Sequence, residues 1–232
     1  DSTRSGPGFN EYLVDSKLPE TIELSHQPLV LGSYGEVDLS GFALSRSLKL
    51  DMHLYPTGDG GEQTALSINA VNGESIALEV IDRRFSLNFS GSRVELHGDQ
   101  LAANKWFRVQ IDVQFGDDSE ISTKITALPT RSPGRDVNSP PWDFREKITF
   151  PSGIGPLDNC LIAASAAGGR FDGRISNPHV EIDDADFKWD FARGIAGREL
   201  IDTGNHQRQG LLYQLPARGV TGPEWDGSQQ NW

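Results

Sequence analysis

The chain has 232 residues, with 33 acidic against 21 basic side chains, a net charge of −12 and a pI near 4.8. That field repels polyanions and argues against nucleic acid and anionic membrane surfaces as partners, and no run approaches the roughly 18 apolar residues that span a bilayer. With 36% hydrophobic residues and 25 glycines, a chain of this size buries enough surface to fold without disulfides or a metal.

Along the chain, the opening DSTRSGPGFNEY reads as an arm or linker, taken as residues 1–19. In LKLDMHLY, the residues Leu48, Leu50, Met52 and Leu54 alternate with polar neighbours, the period of a strand with one buried face. Turn signals follow at PTGDGGE and VNGE, and IALEVIDRRFSLNF has the form of a strand, a turn and a strand. RVEL is a short strand, and WFRVQIDVQF sets Phe107, Val109, Ile111, Val113 and Phe115 on one side, with Trp106 as a core residue at its start. EISTKITAL repeats the pattern with Ile121, Ile125 and Leu128.

The connection PTRSPGRDVNSPPWDF, 129–144, carries four prolines and no strand pattern. Trp142 within it is a candidate anchor for a partner, or the segment folds back to cap an open end. Cys160 is the single cysteine and lies in the apolar run NCLIAASA, which predicts a packed thiol. One cysteine without a framework points to a reducing compartment and a cytoplasmic location. The only helical suggestion is Ile195–Asp202, about two turns. Short strands joined by turns at intervals of about ten residues predict an all-β, antiparallel two-sheet jelly-roll sandwich over 20–190, with few or no helices. Residues 191–232 are then a C-terminal extension.

Chemistry-bearing residues are sparse. In VEIDDADF, Asp183, Asp184 and Asp186 are hard oxygen donors crowded together, a candidate calcium site to which Asp59 or Glu62 could contribute. The competing reading is a solvated acidic strand end. His26, His53, His97, His179 and His206 show no paired metal spacing and read as surface or loop histidines. There is no nucleophile elbow and no phosphate loop. Trp142, Trp189, Trp225 and Trp232 are left as interface aromatics, and sugar stacking is a second use for such rings.

Residues 76–89, the strand beginning at Trp106, and LIAASAAGGRFDGRISNPHVEI occur in the order that resembles laminin-G-like, concanavalin A-like jelly rolls. In FDGRIS, Gly173 permits a close approach while Phe171 and Ile175 plug the core. The resemblance to jelly-roll glycosidases raises a further possibility, since many carry a Glu-x-Asp-x-x-Glu segment. Glu181, Asp183 and Asp186 nearly reproduce it, with the first two about 6.5–7 Å apart on a strand.

The tail resembles the region after the jelly roll in the large subunit of the N,N-dimethylformamidase family. Trp189, Asp190, Phe191, Asp202, Gly204, Pro216, Arg218, Val220, Thr221, Gly222 and Trp225 fit that pattern, whereas Gly219 and Pro223–Glu224 depart from it. This resemblance implies an iron-dependent amide hydrolase whose metal ligands lie in a later catalytic domain. No catalytic residue is inherited here, and Tyr12, Tyr34, Tyr55 and Tyr213 have no reason to be ligands. It further implies that Trp225, with Arg218 and Asp226, docks onto a downstream domain or subunit of the same protein. The alternatives are a free-standing carbohydrate-binding module, whose partner would be a glycan, and a glycoside hydrolase.

Overall fold

The computed structural model describes residues 33–57, 61–97, 100–102, 105–117, 119–128, 141–148, 153–191, 193 and 197–214, and the backbone of 24–27 and 217–221. The arm, Asp59, residues 129–140, Trp225, Asp226 and Trp232 lie outside the described residues, as does the side chain of Arg218.

Seventeen strands and no helix are found among the described residues, every pairing antiparallel. In chain order they are β1 (Leu24–Gln27), β2 (Tyr34–Asp38), β3 (Ala43–Leu44), β4 (Ser47–Pro56), β5 (Glu62–Ala70), β6 (Ser75–Ile81), β7 (Arg84–Phe89), β8 (Ser92–Glu95) and β9 (Phe107–Gln114). They continue as β10 (Glu120–Ala127), β11 (Trp142–Lys147), β12 (Gly155–Ile162), β13 (Gly173–Ile182), β14 (Ala185–Asp190), β15 (Glu199–Asp202), β16 (Gly210–Tyr213) and β17 (Ala217–Thr221).

Two layers result. One has the six-strand run β11–β10–β9–β4–β13–β14, with β1 paired to the first half of β13 and β17 paired to β1. The other runs β15–β16–β2–β12–β5–β6–β7–β8. Ring contacts join them through the core: Phe85 of β7 meets Phe107 of β9 edge-on at 5.9 Å, and Phe89 meets Phe115 at 6.4 Å.

The alternations read from sequence are the buried faces. Leu48, Leu50, Met52 and Leu54 are at most 2% exposed, as are Phe107, Val109, Ile111 and Val113. Asp82 and Arg83 both take positive φ between paired Ile81 and Arg84, the two-residue turn whose twist matches a hairpin. Phe171 and Ile175 are buried, and a Cβ on Gly173 would lie 2.3 Å from the Tyr55 carbonyl oxygen, so only glycine fits there. Cys160 is fully buried, and burial pushes its thiol well up, away from nucleophilic use.

Two expectations are corrected. Glu199–Asp202 is a strand, not helical turns, because Leu200 is buried and Glu199 pairs with Leu211 of β16. Trp142 opens edge strand β11, whose alternation turns Trp142 and Phe144 toward the core and Asp143 and Arg145 outward. The Trp142 ring lies over His97 at 5.4 Å, so it is an inward packing residue and not an exposed anchor.

Hydrogen-bonded sheet also continues past residue 190, since Trp189 pairs with Asp202 and β16 pairs with β2. Trp189 is itself core, 1% exposed, and donates its indole N–H to the Arg208 carbonyl.

Candidate functional site: a polar trough across the six-stranded sheet

A strand with one apolar face must turn its other residues outward, and in the six-stranded layer those residues line up by register. One cross-strand row runs Asp186, Glu181, Lys49, Asp112, Ser122, Arg145. The next runs Lys188, His179, Asp51, Gln110, Lys124, Asp143. Carboxylates and cations therefore stand side by side over a trough of about 570 Å³, which adjoins a second hollow of about 370 Å³. Asp51 and His179 border both.

At the centre, Asp51 accepts two hydrogen bonds from the Arg108 guanidinium, at 2.9 and 2.6 Å, and one from Gln110 at 3.0 Å. Burial by itself would raise the Asp51 carboxyl, but the Arg108 guanidinium and Gln110 outweigh it and hold it below the ordinary carboxylate value. The same ion pair raises the Arg108 guanidinium. Lys49 is raised by its 3.0 Å hydrogen bond to Glu181. These groups hold one another in place before any ligand arrives.

The acidic run is divided by its own hairpin. Asp183 and Asp184 form the turn between β13 and β14, with Asp183 at φ 50°. The Asp183 carboxylate accepts from the backbone N–H groups of Ser45, Arg46 and Ser47 and from the Ser45 hydroxyl. Asp184 pairs with Arg46. Asp186 instead stands across the hairpin from Glu181 and meets His179. The structure thus does not gather Asp183, Asp184 and Asp186 at one point, and Glu62 is engaged with Arg93. Nor do Glu181 and Asp183 form a carboxylate pair, since both oxygens of Asp183 are taken up by the turn.

The Asp183 carboxyl is raised by burial but lowered more by the Ser47, Ser45 and Arg46 hydrogen bonds, leaving it below its ordinary value. A depressed folded pKa adds stability above the unfolded value near 3.9, lost as pH falls through the lower folded value. Asp183→Asn is therefore expected to cost about 1 kcal/mol at neutral pH, kept low by solvent access to the turn. The cost should shrink as pH falls below the unfolded value and through the lowered folded one. Urea midpoints of both proteins across that range check this.

His97 departs from the surface reading given to the histidines. It is 6% exposed, and its Nε2 accepts the Phe85 N–H at 2.9 Å, which places the ring proton on Nδ1. His179, half-buried in the trough, is the functional candidate that sequence spacing missed; its partners only emerge from hairpin register.

On the opposite layer, Tyr34 and Tyr213 stack at 4.9 Å with Arg170 over Tyr34, beside exposed Leu211. Glu36, Asp38 and Asn159 border a hollow of about 350 Å³ that Tyr213 also lines. Glu36 close to Tyr213 raises its phenol.

No protein-family model matches the chain, and no curated protein sequence matches it significantly. Solved structures do. A native heptameric SAP-like pentraxin from Limulus polyphemus superposes with a TM-score of 0.56 at 10% identity, covering 88% of this chain and 97% of the pentraxin. A Bacteroides ovatus protein described as a candidate carbohydrate-binding protein gives 0.54 at 11% identity, covering 86% of this chain and 60% of that one. Mouse laminin α1 domains LG4–5 give 0.47 at 11% identity over 69% of this chain and 43% of theirs.

The likeness is one of fold. The chain is an antiparallel jelly roll that shares the fold of the pentraxin and of the Bacteroides protein. None of these comparisons links it to the N,N-dimethylformamidase large subunit.

Proposed function

We propose that this jelly roll is a glycan-binding module that takes a hydroxyl-rich oligosaccharide along the trough of the six-stranded sheet. The observation that carries this reading is the pair of cross-strand rows, in which Asp51 and Gln110 face each other and Arg108, from the adjoining row opposite His53, reaches over to hold Asp51. A sugar offers closely spaced hydroxyls that both donate and accept. It is bound best by planar groups already fixed in position, because little side-chain freedom is then lost on binding. Recognition here rests on hydrogen bonds and not on ring stacking, because Trp142 and Phe144 face the core. The neighbouring Bacteroides protein, described in carbohydrate-binding terms, accords with this reading but shares only the fold.

Calorimetric titration against a panel of neutral, uronate-containing and sulfated oligosaccharides tests the proposal. At least one should bind, and Arg108→Ala should weaken it by about tenfold or more, by releasing Asp51 as well as removing a donor. Silence across the panel, or an Arg108→Ala protein that binds unchanged, would remove the reading.

A second reading, packing against another part of a longer protein as the tail's resemblance implies, is favoured by exposed Leu211 and Tyr213 beside Tyr34. Tyr213→Ala separates the two, since it leaves glycan affinity intact if the trough is the site.

A further inference from the structure

We infer that His179, Glu181 and Asp186 form a binding site for a borderline divalent transition ion such as zinc, at the trough's edge on the β13–β14 hairpin. The three donor atoms lie within 4.8 Å of one another. His179 Nε2 and Glu181 Oε1 are 3.4 Å apart, and two ligands bound tetrahedrally to zinc at about 2.0–2.1 Å stand about 3.4 Å from each other. His179 Nε2 also contacts Asp186 Oδ1, so a small opening of that hydrogen bond admits the ion.

Two lysines fix the carboxylates in this arrangement, although their positive charge offsets part of the attraction for a dication. Lys49 holds Glu181 by Oε2 at 3.0 Å, and Lys188 lies 3.4 Å from Asp186 Oδ2. Each lysine thus engages one carboxylate oxygen while the other oxygen turns toward the imidazole. That is the outer-shell support that orients carboxylate ligands in metal sites. The strand alternation places His179 and Glu181 on one face, and the hairpin register brings Asp186 alongside Glu181.

The donor set also selects the metal. Calcium takes six to eight oxygens, whereas one imidazole and two carboxylates suit zinc or cobalt, with a remaining position for water. Because His179 and Glu181 line the trough, that position opens toward it. The inference does not depend on the glycan reading.

The full chain, stripped with chelator, is titrated with zinc by calorimetry and with cobalt by visible absorption. One ion per chain is expected, together with the absorption bands of low-coordinate cobalt in the unsubstituted protein. His179→Ala and Asp186→Asn should each weaken zinc binding by about tenfold or more, with unchanged circular dichroism, while Asp184→Asn binds as the parent does. No zinc heat up to about 1 mM, a limit too weak for three ligands, would overturn the inference. So would zinc binding indifferent to His179→Ala, or an absence of cobalt bands.

Discussion

Trp189→Ala is expected to destabilise the protein by about 3–5 kcal/mol, the usual cost of emptying a large aromatic site in a core. Trp189 is 1% exposed and lies on β14, at the seam where that strand meets β15. Its ring stacks on Phe187 at 6.1 Å, and Phe187 in turn meets Phe42 edge-on at 5.1 Å. Removing the indole takes away one end of this aromatic chain. It also leaves the Arg208 carbonyl without its 3.1 Å donor.

Trp189→Phe separates the two contributions. It keeps most of the ring packing and loses the hydrogen bond, so about 1–2 kcal/mol should remain as its cost. Urea unfolding measures both, with midpoints moving and slopes constant if the native and denatured states keep their surface areas. A loss below about 1 kcal/mol for Trp189→Ala would show that the seam is not part of the core.

Asp202→Ala is the second large effect, expected at about 3 kcal/mol. Asp202 is 4% exposed, and its carboxylate organises the return from β15 to β16. Oδ1 accepts from the N–H groups of Lys188 at 2.8 Å and Gly204 at 2.7 Å, and Oδ2 accepts from Arg208 at 2.7 Å. Alanine leaves three donors without their acceptor, and each such bond to an ionised acceptor carries more weight than a neutral one.

Asp202→Asn is expected to recover part of the loss. Its carbonyl oxygen can still serve Lys188 and Gly204, but its amide nitrogen would face the Arg208 N–H, donor against donor. The ordering Ala below Asn below the parent, read from thermal midpoints, is the expected result. Equal midpoints for the three proteins would contradict it.

The layered fold was legible because its longest strands carry unbroken alternation. Leu48 to Leu54 and Phe107 to Val113 point inward at every second position, and the sheet they belong to has one wet face. Cys160 and the Phe171–Gly173–Ile175 plug were legible for the same reason: apolar or residue-free positions announce burial.

What resisted was everything fixed by non-local pairing. Glu199–Asp202 has apolar residues at spacings compatible with a short helix, and only its pairing with β16 makes it a strand. Trp142 was hidden by the prolines before it, although Phe144 and Ile148 continue its inward alternation. The aspartates at 183, 184 and 186 are neighbours in the chain but not in space. A hairpin turning at Asp183 and Asp184 places 181 opposite 186 and 179 opposite 188, so His179 and Glu181 replace Asp183 and Asp184 as the companions of Asp186. That register could have been drawn from the sequence once the turn was located.

Backbone amide shifts of the isotope-labelled chain, recorded while an oligosaccharide is added, test the trough most directly. The account predicts that the perturbed amides gather in Lys49–His53, Arg108–Asp112 and His179–Glu181, neighbours across β4, β9 and β13. Perturbations gathered instead around Tyr34 and Tyr213 on the opposite layer, or none with any sugar, would contradict it.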